Sequence, residues 1–165
     1  MSKVHSLYSK QLLPASLEEV WDFFSDAGNL PVITPPHLNL KATNEVYGNS
    51  VYAGQVMTYT VKPLLGIPFA WMTEITHAET KKYFVDEQRK GPYKLWHHQH
   101  HFTCVEGGVE MIDIIHYRLP FGLFGNLAHS LMVKRELKKL FTYRYHKIIE
   151  LFGKWEGEEM ELKIQ

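Results

Sequence analysis

Seven consecutive residues, Trp96-His97-His98-Gln99-His100-His101-Phe102, hold four of the ten histidines of this chain and set them between two aromatic rings. Imidazole exchanges protons near neutral pH and binds borderline metals through either ring nitrogen. On an extended strand, alternate side chains share a face. Trp96, His98, His100, Phe102 and Cys104 then face one way, and Leu95, His97, Gln99, His101 and Thr103 face the other. Imidazoles buried among aromatic rings need hydrogen-bond partners. An apolar pocket with a few polar groups uses this mixture.

The neighbouring hairpins supply candidate partners. Closing the strand before it through the Gly91-Pro92 turn sets Gln88 beside Trp96 and Asp86 beside His98. Closing the strand after it through Gly107-Gly108 brings Asp113 near His100 or His101. A one-residue bulge in either hairpin would change both pairings.

Three chemistries use such groups. A buried polar network can be self-satisfied or can meet a ligand. A metal would take His98 and His100 with a third ligand from Glu74, Asp86, His116 or Asp113. An acid/base enzyme of the cyclase or dehydratase kind would use His98, His100, Asp86 or Tyr117. The plainest reading is a self-satisfied buried network, with a ligand-contacting network next, and neither a metal nor a cofactor is expected. No nucleophile elbow, phosphate loop or dinucleotide fingerprint occurs. Cys104 reads as an inert buried thiol, and as the only cysteine it cannot form an internal disulfide.

The elements that would position these groups follow from periodicity and turn chemistry. Val4–Leu13 alternates as a first strand. Ser16-Leu17-Glu18-Glu19 is a capping box that opens a helix with apolar Leu17, Val20, Trp21 and Phe24. A second short helix over Leu30–Ile33 precedes Pro35-Pro36. Six strands then follow near 38–47, 52–62, 68–79, 82–89, 95–105 and 109–119, joined by short glycine-containing turns. Short connections favour an antiparallel meander and exclude a doubly wound fold. The last element is a long helix over Leu127–Phe152, with Val133, Leu137, Leu140, Phe141, Ile148, Leu151 and Phe152 in one stripe. Arg144 lies on that stripe, so its guanidinium either reaches out to water or meets a carboxylate inside. Residues 154–165 read as a frayed acidic tail after a single domain over 1–153. The fold class is thus α+β: a seven-stranded antiparallel curved sheet around a long C-terminal helix, with two short helices after the first strand.

In a meander, successive turns fall at alternate ends of the sheet. One end collects Leu64, Leu65, Ile67 and Phe69, then Pro92, then Phe121, Leu123 and Phe124. Apolar loop tips at one end are unusual. They read as lids over a pocket mouth, as a surface for a membrane or partner protein, or as mutually packed loops.

These residues resemble a known group. Pro68-Phe69-Ala70-Trp71, Glu74-Ile75, Phe84-Val85-Asp86-Glu87-Gln88, Gly91-Pro92-Tyr93, the His-rich strand, Asp113, Tyr117, Pro120 and Leu140-Phe141-Thr142-Tyr143-Arg144 look like bacterial ligand-binding members of the START-like (SRPBCC) superfamily, the polyketide cyclase and coenzyme-Q-binding branch. The resemblance spans about residues 3 to 152. It implies a helix-grip fold with a deep cavity between sheet and last helix, and loops acting as gates around its entrance.

The resulting expectation is a module that binds a hydrophobic or amphipathic small molecule such as a lipid, quinone or polyketide. Trp71, Trp96, Phe102, Tyr117, Leu140 and Phe141 would form apolar wall; Asp86, Gln88, His98, His100, Asp113 and Arg144 would form or support the polar part. The alternatives are the cyclase-like enzyme and an interaction module acting through loops 63–69 and 120–125. Balanced charge, 18 basic against 18 acidic residues, argues against nucleic acid. The basic helix surface from Lys134 to Lys147 leaves peripheral contact with anionic lipid open. Met1–Ser9 is polar and short, and with one cysteine the expectation is a cytoplasmic protein.

Overall fold

The computed structural model describes residues 3–44, 50–62, 66–120 and 132–165. Its elements are β1 (His5–Leu13), α1 (Leu17–Ser25), two single-turn 3₁₀ helices (Ala27–Asn29 and Pro36–Leu38), β2 (Lys41–Ala42), β3 (Val56–Val61), β4 (Phe69–Glu79), β5 (Tyr83–Lys90), β6 (Leu95–Val105), β7 (Gly108–Arg118), α2 (Lys134–Phe152) and β8 (Glu161–Ile164). The strands form one antiparallel sheet in the order β2-β3-β4-β5-β6-β7-β1-β8. The α+β meander and long C-terminal helix agree with the sequence reading.

The sheet has eight strands where seven are expected. The eighth comes from the tail: Leu7 pairs with Ile164 and Lys10 with Glu161. Without it, β1 would expose an unpaired edge. Leu162 and Ile164 alternate in sequence and pack against a core cluster containing Leu7 and Tyr117. Glutamates around them mask that alternation. Trp155, on the way to β8, packs over Gly107, whose φ is +89° and whose Cβ, if present, would lie 3.2 Å from the indole.

Other boundaries also differ. The strand expected over 38–47 reduces to Lys41–Ala42 among the described residues. Beyond it, the Asn44 side chain substitutes for a backbone rung, accepting from Thr58 N at 2.9 Å and donating to Val56 O at 3.1 Å. The helix expected over Leu30–Ile33 is replaced by turns between the two 3₁₀ helices. The end of the final helix at Phe152 is as expected; its α-helical part runs Lys134–Phe152 after a π turn at 132–133, and 127–131 lie outside the described residues.

The capping box forms as expected. Glu19 N donates to Ser16 Oγ at 3.3 Å, and Ser16 N donates to Glu19 Oε2 at 3.0 Å. This start orients Val20 and Trp21 into the core. There Trp21 meets Phe84 and Phe102 edge to face. In α2 the buried residues Leu137, Phe141, Arg144 and Ile148 recur at intervals that keep one face of a helix. Leu151 continues that spacing but lies in the last turn of the helix and is 45% exposed. Gly153, at φ +94°, ends the helix and donates to Ile149 O at 2.9 Å.

Two bulges bend β4 against β5, where the register shifts between Met72 and Thr73 and between Ile75 and His77. The β5–β6 and β6–β7 ladders run without a shift over their paired residues. The bulge that would have upset the His-rich strand therefore falls on the far side of β5. No helix among the described residues is long and apolar enough to cross a membrane.

Candidate functional site

Strand β6 alternates as its sequence suggests: Trp96, His98, His100 and Phe102 are buried, whereas His97, Gln99 and His101 are partly exposed. The alternation stops at Thr103, and Cys104 is exposed rather than a buried thiol.

The registers set Asp86 opposite His98 and Asp113 opposite His100. The side chains go further and close a four-membered ring. His98 Nε2 lies 3.0 Å from Asp113 Oδ1, and its Nδ1 lies 3.5 Å from Asp86 Oδ2. His100 Nε2 lies 3.0 Å from Asp86 Oδ2, and its Nδ1 lies 2.9 Å from Asp113 Oδ1. Thr73 Oγ1, 3.2 Å from Asp86 Oδ1, holds the second oxygen of that carboxylate. Each imidazole is thus flanked by carboxylates on both sides.

The environment separates the two rings electrically. Burial alone would depress both. At His98 burial prevails, aided by the charge of His100, so its pKa falls below the ordinary histidine value. At His100 burial is outweighed by hydrogen bonds to Asp113 and Asp86, and its pKa rises. Burial raises the carboxyls, but hydrogen bonds to the rings reverse this and hold Asp86 and Asp113 below the usual carboxylate range. Two carboxylates thus hold two imidazoles whose proton affinities the environment pulls apart.

Arg144 adds a positive charge from α2, within reach of the charges of Asp113 and Asp86. It is 7% exposed, with its guanidinium carbon 5.0 Å from the centre of the Phe141 ring. Burial lowers its pKa, while the charges of Asp113 and Asp86 oppose that shift. Neither expectation for this side chain holds fully: it stays inside, yet it forms no direct ion pair among the described residues. Its Nε is buried and has no hydrogen-bond partner among them.

These groups border a cavity of about 200 Å³ between sheet and α2. Trp71, Asp86, Trp96, His98, His100, Leu140, Phe141 and Arg144 line it. Four other residues singled out from sequence stand outside the lining. Phe102 packs against Trp21, Phe24 and Phe84. Tyr117 is fully buried beside Trp96. Asp113 sits behind the histidines. Gln88 ties the Gly91-Pro92 turn, donating to Tyr93 O at 2.6 Å and accepting from Tyr93 N at 3.2 Å. Tyr93, positioned by that clamp, is itself a lining residue.

Of the gate residues, Ile67 is half-exposed at 51%, Phe69 opens β4 half-buried, and Pro92 is half-buried in its turn. Leu64, Leu65, Phe121, Leu123 and Phe124 lie outside the described residues. Sequence reasoning missed the wall formed by Phe23, Phe24, Leu30, Ile33, Met57 and Tyr59. The apolar Leu30…Ile33 pair between Asn29 and Pro35 was the available signal.

A curved antiparallel sheet gripping a C-terminal helix, with a lined hollow between them, defines the helix-grip class. No family model matches the chain, and no curated protein matches it. Solved structures do. Protein CV1439 from Chromobacterium violaceum aligns with a TM-score of 0.67 at 12% identity, covering 90% of this chain and 96% of that one. Protein Ms6760 from Mycobacterium smegmatis aligns with a TM-score of 0.63 at 17% identity, covering 88% and 89%. Ara h 8.0201, a Bet v 1-like protein, aligns with a TM-score of 0.59 at 12% identity, covering 90% and 99%. At these identities the likeness is one of fold.

Proposed function

We propose that this chain is a binding module of the START-like type that holds one amphipathic small molecule, such as a lipid, quinone or polyketide, in the cavity between sheet and α2. One observation carries the reading: the polar groups of the cavity wall are of two kinds. Those of Asp26, Asn29 and Thr34 are hydrogen-bonded to nearby backbone. The Asp86–His98–His100 group and Arg144 instead form a buried charged cluster beside the aromatic and aliphatic part of the wall, while the lining residue Glu136 is paired with Lys139 and His37. An apolar body against Trp71, Phe84, Trp96 and Phe141, with a polar head toward Arg144, matches that division.

The cavity is also expensive to leave empty. At about 24 cal/mol per Å³, a 200 Å³ void costs roughly 5 kcal/mol, comparable with the net stability of a small domain. A bound molecule or water offsets that cost.

Organic extraction of purified protein with mass spectrometry, and titration with the lipophilic anion 8-anilinonaphthalene-1-sulfonate, test the reading. The expected result is a stoichiometric extractable lipophile or saturable quenching of Trp71 and Trp96, both lost in a cavity-filling Leu140→Trp variant that stays folded. A protein that yields no lipophile and shows no saturable quenching overturns it.

The opposed shifts of His98 and His100 favour one second reading, an acid/base enzyme of the cyclase or dehydratase kind. Two neighbouring imidazoles in the cavity wall whose pKa values are pushed apart are a pairing such chemistry uses. His98→Gln separates the two: a carrier keeps most of its affinity, whereas an enzyme loses turnover and still binds.

A further inference from the structure

The two carboxylates of the ring do different things. His98 Nδ1 and His100 Nε2 converge on Asp86 Oδ2 at 3.5 and 3.0 Å. The remaining nitrogens, His98 Nε2 and His100 Nδ1, converge on Asp113 Oδ1 at 3.0 and 2.9 Å. Asp86, His98 and His100 line the cavity. Asp113 is outside the lining and 2% exposed.

We propose that Asp86, His98 and His100 form a binding site for one divalent transition-metal ion, with Asp113 as the outer carboxylate that orients both rings. It requires the cavity described above, but not the lipophilic ligand assigned to it.

The geometry is close to what such an ion demands. A metal about 2.0–2.2 Å from each ligand sets neighbouring ligand atoms roughly 3.0–3.5 Å apart. The Asp86 contacts are 3.0 and 3.5 Å, and one ligand atom from each of the three residues lies within 4.8 Å of the others. The ion takes the place of the direct contact between His100 Nε2 and Asp86 Oδ2. A metal-binding histidine commonly donates its other N–H to a carboxylate, which fixes tautomer and ring orientation. Here Asp113 serves both rings at once.

Two nitrogens and one oxygen suit Zn²⁺, Co²⁺ or Fe²⁺ and do not suit the all-oxygen preference of Ca²⁺ and Mg²⁺. Three protein ligands leave positions open toward the cavity, as in sites that bind a further ligand. The charges present permit such an ion. A divalent ion balances Asp86 and Asp113, and Arg144 then leaves one positive charge for an anionic group in the cavity.

The competing site is on the outer face of β6, where His97 and His116 have ring centroids 6.4 Å apart and His97 Nδ1 meets Glu87 at 2.9 Å. Chelator-treated protein, free of added lipophile, is titrated with Co²⁺ by visible absorption and with Zn²⁺ by calorimetry. The expected result is one ion per chain. Asp86→Asn abolishes that site, and Asp113→Asn weakens it on the order of 10- to 100-fold. The surface variant His97→Gln/His116→Gln leaves it unchanged.

X-ray absorption on the cobalt-loaded wild type covers the case in which the Asp86 variant fails to fold, with coordination by two imidazoles expected. Binding abolished by the surface variant, or no stoichiometric binding by the wild type, overturns the proposal. Titration with 8-anilinonaphthalene-1-sulfonate in chelator reports the cavity separately, so loss of the metal site and loss of the lipophile site are read independently.

Discussion

His98 and His100 lie side by side on the inner face of β6, ring centroids 3.7 Å apart and planes tilted by 38°, and Asp113 Oδ1 lies within 3.0 Å of a nitrogen of each. One carboxylate from the neighbouring strand therefore restrains both rings. Asp113→Asn keeps the shape but removes the charge that lets an imidazolium exist in a buried place. Breaking a buried charge pair costs about 3 kcal/mol or more. A loss of that size is expected in chemical denaturation, together with a lowered His100 titration by NMR.

The same ring sets the acid limit of the metal-free protein. Asp86 and Asp113 are held below their ordinary value of 3.8, so their contribution is present above that value and lost as pH falls through the depressed folded values. The histidines oppose each other. His100 is raised, so its contribution is present below 6.5 and lost as pH rises through its folded value. His98 is lowered, so its contribution is present above 6.5 and lost as pH falls. Thermal melts in chelator should show a shallow dependence around neutrality and a steep loss below about pH 4, near the unfolded carboxylate value. Asp113→Asn should flatten the acid limb.

Arg144 should matter more for binding than for folding. Its Nε makes no hydrogen bond among the described residues, and burial works against its charge. A hydrogen bond to a charged group contributes about 1.5–3 kcal/mol, and 1.4 kcal/mol is about tenfold in affinity. Arg144→Met should weaken an anionic lipophile at least about tenfold while moving a neutral one far less, as read by tryptophan quenching. Equal loss for both would assign Arg144 to shape alone.

The tail should act as an edge guard. Truncation after Gly153 removes β8, uncovers the backbone groups of β1 that pair with Leu162 and Ile164, and strips Trp155 from Gly107. Burying one large apolar side chain contributes about 1.5–3 kcal/mol, so a loss of at least that size is expected. A concentration-dependent shift to larger species in size-exclusion chromatography should accompany it, because an open strand edge templates pairing.

Local chemistry was legible in the chain because it depends on near neighbours. The Ser16/Glu19 capping box, the meander turns, the inward face of β6 and the facing of Asp86 with His98 follow from residue type and a period of two. Arg144 on the apolar stripe of α2 was visible by the same logic with a period of 3.6. What could not be read was the crossing of the pairs. Strand register specifies which backbones face each other, but side chains on one sheet face also reach diagonally, and only packed coordinates show His98 bonded to Asp113 and His100 to Asp86.

The same limit hid β8 and the true wall of the cavity. Leu162 and Ile164 form a strand only because the edge of β1 is there to receive them, and Phe23, Leu30 and Met57 become neighbours only when α1 folds onto the sheet. Sequence alone determined the elements, their order and the residue types that could do chemistry. Tertiary structure decided which of those residues share a hollow, because contacts between segments distant in the chain depend on how the bulged sheet bends around its helix.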